Sequence, residues 1–187
     1  MIELYRCFPR VPGARRAKPG HWSYLPRPQL HGRWDNADLY DSWYFSRSQV
    51  GAIAESFYNK QRWVPEVFLT PHGHTRALAV FEFEPQKPLL DLDDAAVLLE
   101  FDITPSQVVV QDLTTTQEIA RRIYRHAGDR FSGITWWSSQ LPSQNSVLLW
   151  GADAAPPPGL RLAGLEPLST THPSVIDAAA QLYRVLG

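Results

Sequence analysis

The chain has 187 residues, enough to bury a core without disulfide or metal staples, and its 44% hydrophobic and 20% charged residues exclude wholesale disorder. A formal net charge of -1 excludes the long-range positive field that draws in nucleic acid. A single cysteine excludes an intramolecular disulfide, and no apolar run approaches the roughly 20 residues that cross a membrane.

Met1-Ile2-Glu3 lacks the basic start and long apolar stretch of a signal peptide, so a cytoplasmic protein is expected. Cys7 sits in an apolar stretch and reads as a buried thiol rather than a nucleophile. One domain over residues 1–187 is expected, with no internal repeat and no second core.

In chain order, residues 3–8 read as a strand. Residues 9–30 read as a long loop rich in Pro, Gly and Arg, and its Arg15-Arg16-Ala17-Lys18 run as a solvated patch. Residues 39–45 read as an aromatic strand. Ser46 and Gln49 have capping-box spacing, and Val50, Ile53, Ala54 and Phe57 follow at helical period, so a helix is placed at 47–60. Strands are predicted at 64–69 and 76–84.

Asp91-Leu92-Asp93-Asp94 fits the N-terminus of a helix over Ala95–Phe101 better than a metal site. Ser106–Gln111 reads as a short strand. Thr115 and Glu118 mark a helix over 115–127 that Gly128 ends. Strands follow at 131–137 and 146–150, a stiff Pro-rich turn at 155–159, a strand at 161–168 and an amphipathic helix at 173–186. The order implies α+β architecture, a twisted mixed or antiparallel sheet with helices against it.

Four polar positions stand out together. Arg33 follows the long loop, and Tyr44 ends the aromatic strand 11 residues later. Glu55 lies another 11 residues on, in the next helix, and Ser138 closes the strand that begins at Gly133. Singly, each reads as an ordinary surface arginine, core aromatic, solvated acid or turn serine.

As an ordered set they resemble the RES domain, the toxin half of a bacterial toxin–antitoxin pair. The resemblance rests on Leu4-Tyr5-Arg6, on Gly32-Arg33-Trp34-Asp35-Asn36, on the strand ending at Tyr44, on Ala52-Ile53-Ala54-Glu55, and on Gly133 through Ser138 followed by Asn145. It departs from the family at Trp137, where a proline is expected before the serine, at Gln140, where an arginine often stands, and at Asp35. Either Ser138 or Ser139 can be the motif serine.

The resemblance implies an ADP-ribosyltransferase-like fold and attack on NAD⁺ as substrate, with no metal. Arg33, with Arg6 as second candidate, would hold the pyrophosphate in a planar bidentate fork. Tyr44 would face the nicotinamide, with Trp34 near it. Glu55 would hold the ribose and oppose the positive charge that grows as nicotinamide leaves. Ser138 would hydrogen-bond the amide or ribose, and no Ser-His-acid set makes it a nucleophile.

Water as acceptor gives a glycohydrolase, phosphate a phosphorylase, and a protein side chain an ADP-ribosyltransferase. The implied partner is a helix-turn-helix, Xre-type antitoxin whose tail covers the cleft; a homodimer or larger toxin–antitoxin assembly is compatible with this. Direct contact with nucleic acid or membrane is not expected. Two other readings stay open: a metal enzyme using His72-Gly73-His74, and a non-catalytic partner-binding module.

Overall fold

A computed structural model describes residues 1–187. Alternating and aromatic stretches form its strands: β1 (Ile2–Phe8), β2 (Asp41–Ser46), β4 (Ala77–Phe83), β6 (Gly133–Trp137), β7 (Asn145–Gly151) and β8 (Leu160–Pro167). With β5 (Leu89–Asp91) they make one seven-stranded sheet in the order β5-β6-β7-β2-β1-β4-β8. Only β5 and β6 run parallel; the other pairings are antiparallel, so the sheet is mixed. A two-stranded parallel ribbon joins β3 (Arg62–Trp63) to β9 (Val185–Leu186).

Apolar side chains gather in three clusters around this sheet. The first lies between β6–β7 and α4 (Leu113–Ala127), with Trp34 and Trp136 edge to face at its centre. The second covers the other face of β1, β2 and β4; the long loop folds back onto it, burying Leu25 and setting Trp22 edge-on against Phe81. The third packs α1 (Gln49–Phe57) against α5 (Pro173–Gln181), Trp63 and Phe68. No helix is long and apolar enough to cross a membrane.

Several elements differ from the sequence reading. Residues 64–69 are not a strand: Pro65 fixes φ and offers no N–H to a ladder, so Pro65–Phe68 form a 3₁₀ turn after the two-residue β3. Residues 106–111 are not a strand either. Thr104 and Gln107 close a capping box and Pro105 opens the helix, so Pro105–Val109 wind into α3 despite their valines.

Ser48, not Ser46, caps α1 by accepting from the Gly51 N–H, and Ser46 is the last residue of β2. Asp112 caps α4, accepting from the Thr114 and Thr115 N–H groups, which starts that helix two residues early. The last helix stops at Gln181: Tyr183 takes a positive φ of 54°, and the chain then turns into β9. Asp94 does cap a helix, α2 (Ala95–Glu100), accepting from the Ala96 N–H.

Candidate active site

The sheet is closed unevenly at its middle. β2 pairs with β7 through six residues but meets β1 only at Tyr5 and Ser46. The parted strands and α1 enclose a cavity of about 270 Å³ whose walls include Arg6, Tyr44, Glu55 and Trp136. Three of the residues singled out from the sequence therefore meet on one cavity, brought there by β1, β2 and α1.

Arg6 is the least satisfied of these. Its guanidinium lies 5.6 Å over the Trp43 ring, its buried Nη1 has no hydrogen-bond partner, and no carboxylate forms an ion pair with it. Burial pulls it down to about 10, which leaves it charged at neutral pH. A half-buried cation without an ion-pair partner is costly, and an anionic ligand would relieve that cost.

Glu55 meets Ser138, whose hydroxyl donates to Oε1. Ser138 is itself buried, and its Oγ accepts from the Gln140 and Leu141 N–H groups at 3.1 and 3.0 Å. The hydroxyl is thus fully committed: two acceptances fix it and its one proton points at Glu55. Of the two neighbouring serines, Ser138 reaches the carboxylate, while Ser139 meets the Gln140 side chain. Ser138 stands behind Glu55 rather than on the cavity wall and has no proton left for a ligand.

Tyr44 is held at its hydroxyl, which donates to Asp35 Oδ1 at 2.8 Å and accepts from the Trp34 N–H at 3.0 Å. Asp35 also accepts from the Gly32 N–H at 2.6 Å. Position 32 must be glycine here, because a Cβ would stand 2.5 Å from the Tyr44 hydroxyl and 2.6 Å from Asp35 Oδ1. Burial first, and the Asp35 charge second, hold the Tyr44 phenol well above its ordinary value.

Arg33 and Trp34 are placed differently from Arg6 and Tyr44. The Arg33 guanidinium donates to the Val108 carbonyl at 3.1 Å and to the Val110 carbonyl, at the end of α3. Burial lowers Arg33, while the charge of Glu55 and the Tyr44 phenol oppose the shift, so it lies within electrostatic reach of the cavity without lining it. Trp34 is fully buried against Trp136 and supports the wall from behind.

Cys7 and Asp35 complete the neighbourhood. Cys7 borders the cavity as a thiol that burial pushes up to about 12, so it is not a ready nucleophile. Asp35, which the sequence shows only as a departure from the family pattern, is tied to the cavity through the Tyr44 hydroxyl. The available signal was an acid directly after Trp34 and three residues after Gly32. His72 and His74 lie in a turn closed by Thr70, away from the cavity, and no group of three or more His, Cys, Asp or Glu is arranged to hold a metal ion.

The RES domain family model matches residues 3–163, which takes in β1 from its second residue, the cavity and the first half of β8. The chain belongs to the RES domain family. Among solved structures this RES domain is similar to a chain of the M. tuberculosis MbcT–MbcA toxin–antitoxin complex, with 14% identity and a TM-score of 0.63. The match covers 97% of this chain and 89% of that one, and at this identity the likeness is one of fold. Comparison with curated proteins gives no match.

Proposed function

We propose that this RES domain is a toxin that cleaves the bond between nicotinamide and ribose in NAD⁺. The observation that carries the reading is the meeting of Arg6, Tyr44 and Glu55 on one cavity, with Arg6 lacking any anionic partner. Arg6 suits a phosphate oxygen. The Tyr44 ring suits the nicotinamide face.

The nicotinamide nitrogen is already positive in NAD⁺, so it leaves neutral without a proton from the protein. The charge it leaves behind develops on the ribose as an oxocarbenium-like centre. Glu55 opposes that charge. Ser138 fixes one carboxylate oxygen, which leaves the other for a ribose hydroxyl. Arg33 orders the wall at α3 and adds positive potential for the pyrophosphate. Water as the acceptor makes the enzyme a glycohydrolase, and phosphate makes it a phosphorylase.

The structural neighbour comes from a toxin–antitoxin complex, which supports an antitoxin partner here. We infer an Xre-type, helix-turn-helix partner that covers the cleft and keeps the toxin silent in the cytoplasm, where its substrate lies. Expression of the soluble chain alone is expected to drain cellular NAD⁺ and arrest growth, and the adjacent partner gene should reverse both. Unchanged NAD⁺ at high soluble expression would contradict the reading.

A further inference from the structure

Asp35 is a buried carboxylate, 6% exposed, and no Lys, Arg or His forms an ion pair with it. Its partners are neutral donors, the Gly32 N–H and the Tyr44 hydroxyl. The nearest arginine in sequence, Arg33, is spent on the Val108 and Val110 carbonyls. A carboxylate buried without a cationic partner is costly, and neutral donors offset that cost only in part. The group between Asp35 and the cavity is the Tyr44 ring.

We propose that Asp35 is a specificity-determining positioning residue that, through the Tyr44 hydroxyl, makes the Tyr44 ring a seat for a positively charged aromatic ring in preference to a neutral one of the same shape. A phenol that donates to a carboxylate carries more electron density on its ring face, and that face attracts a cation. Because the phenol stays protonated, it remains a donor to Asp35 across the physiological range. The Trp34 N–H fills the hydroxyl's acceptor side and stops it from turning toward the cavity. Glu55 adds negative potential on the same cavity, while Arg6 stands against it.

In terms of the proposed reaction, on which the identity of the natural ligand rests, the device favours the oxidised dinucleotide. Its pyridinium is cationic, whereas the dihydropyridine of the reduced form is neutral and cannot leave. Asp35 would thus discriminate by charge before any bond breaks.

The test uses two probes that nothing cleaves: the 1-methylnicotinamide cation and neutral nicotinamide. Their dissociation constants are measured on the full chain by ligand-observed NMR. The cation should bind about tenfold tighter, the size of a partly desolvated cation–π contact. Asp35→Asn keeps the volume and removes the charge, and should lower that ratio severalfold, chiefly by weakening the cation. Tyr44→Phe cuts the link at the hydroxyl and should lower it likewise, which decides the matter if Asp35→Asn does not fold. A purely structural Asp35 would weaken both probes together.

A parent ratio of one, or a ratio unchanged in a folded Asp35→Asn or Tyr44→Phe protein, overturns the inference. The probes carry neither ribose nor phosphate. Charge-selective binding by a protein that leaves NAD⁺ intact would therefore remove the proposed reaction and keep this inference. Cleavage of NAD⁺ with an unaltered ratio in the variants would do the reverse.

Discussion

β2 has two neighbours and treats them differently. Toward β7 it pairs from Asp41 to Ser46 without a break, and apolar residues such as Trp43 and Leu149 face each other across the ladder. Toward β1 it makes one pair, and the gap holds Arg6, Tyr44 and Glu55. On the closed side, polar backbone is satisfied within the sheet and the side chains can be greasy. On the open side, a cavity takes the place of ladder, and half-buried polar groups face it, with Arg6 Nη1 left without a partner. The continuous ladder and the candidate site thus lie at opposite edges of the same strand.

That division can be broken from either side. The largest effect should come from the closed junction. Leu149→Ala removes a fully buried side chain and should cost about 2–5 kcal/mol in denaturant unfolding. Activity per folded molecule should stay near the parent's. An equal loss of stability and turnover would show that the two edges are not separable.

On the open side the order of effects reverses. Glu55→Gln keeps the volume and removes the charge, so kcat should fall on the order of 10²–10³-fold while the unfolding midpoint moves little. Arg6→Lys keeps a charge but loses the planar fork, and should raise KM for NAD⁺ about tenfold with a smaller change in kcat. If Arg6→Lys lowered stability and left KM alone, Arg6 would be a packing residue over Trp43.

The smallest effect lies far from both edges, at the cap of α4. Asp112 accepts from Thr115 and from the Thr114 and Thr115 N–H groups, and these bonds hold its carboxyl below the ordinary range. The stability it contributes is present above the unfolded value of about 3.9 and is lost as pH falls through the lower folded value. Asp112→Ala should therefore lower Tm slightly at neutral pH, and the difference should vanish in strong acid.

Much of the fold was legible because strands such as β4 and β7 announce themselves by apolar and aromatic residues. β5 was missed because three residues carry no pattern, and its place beside β6 is set by tertiary contact. α3 was misread because Val108-Val109-Val110 looks like a strand, whereas Thr104, Pro105 and Gln107 decide the backbone before those valines. The site set of Arg33, Tyr44, Glu55 and Ser138 came from a resemblance, and the structure brings Tyr44, Glu55 and Ser138 together. The destination of Arg33, on carbonyls 75 and 77 residues away, is a tertiary fact that no local spacing encodes. The same holds for Asp35, whose meaning depends on Gly32 and Tyr44 closing around it.

The proposed reaction places the cleavage of NAD⁺ at the open edge of β2. The direct measurement is release of free nicotinamide from NAD⁺ by the purified chain, followed with and without added phosphate, beside Glu55→Gln. Release by the parent is expected, at a rate that Glu55→Gln lowers by at least about 10²-fold, with phosphate dependence naming the acceptor. No release by folded parent under either condition, or equal release by parent and variant, would contradict it.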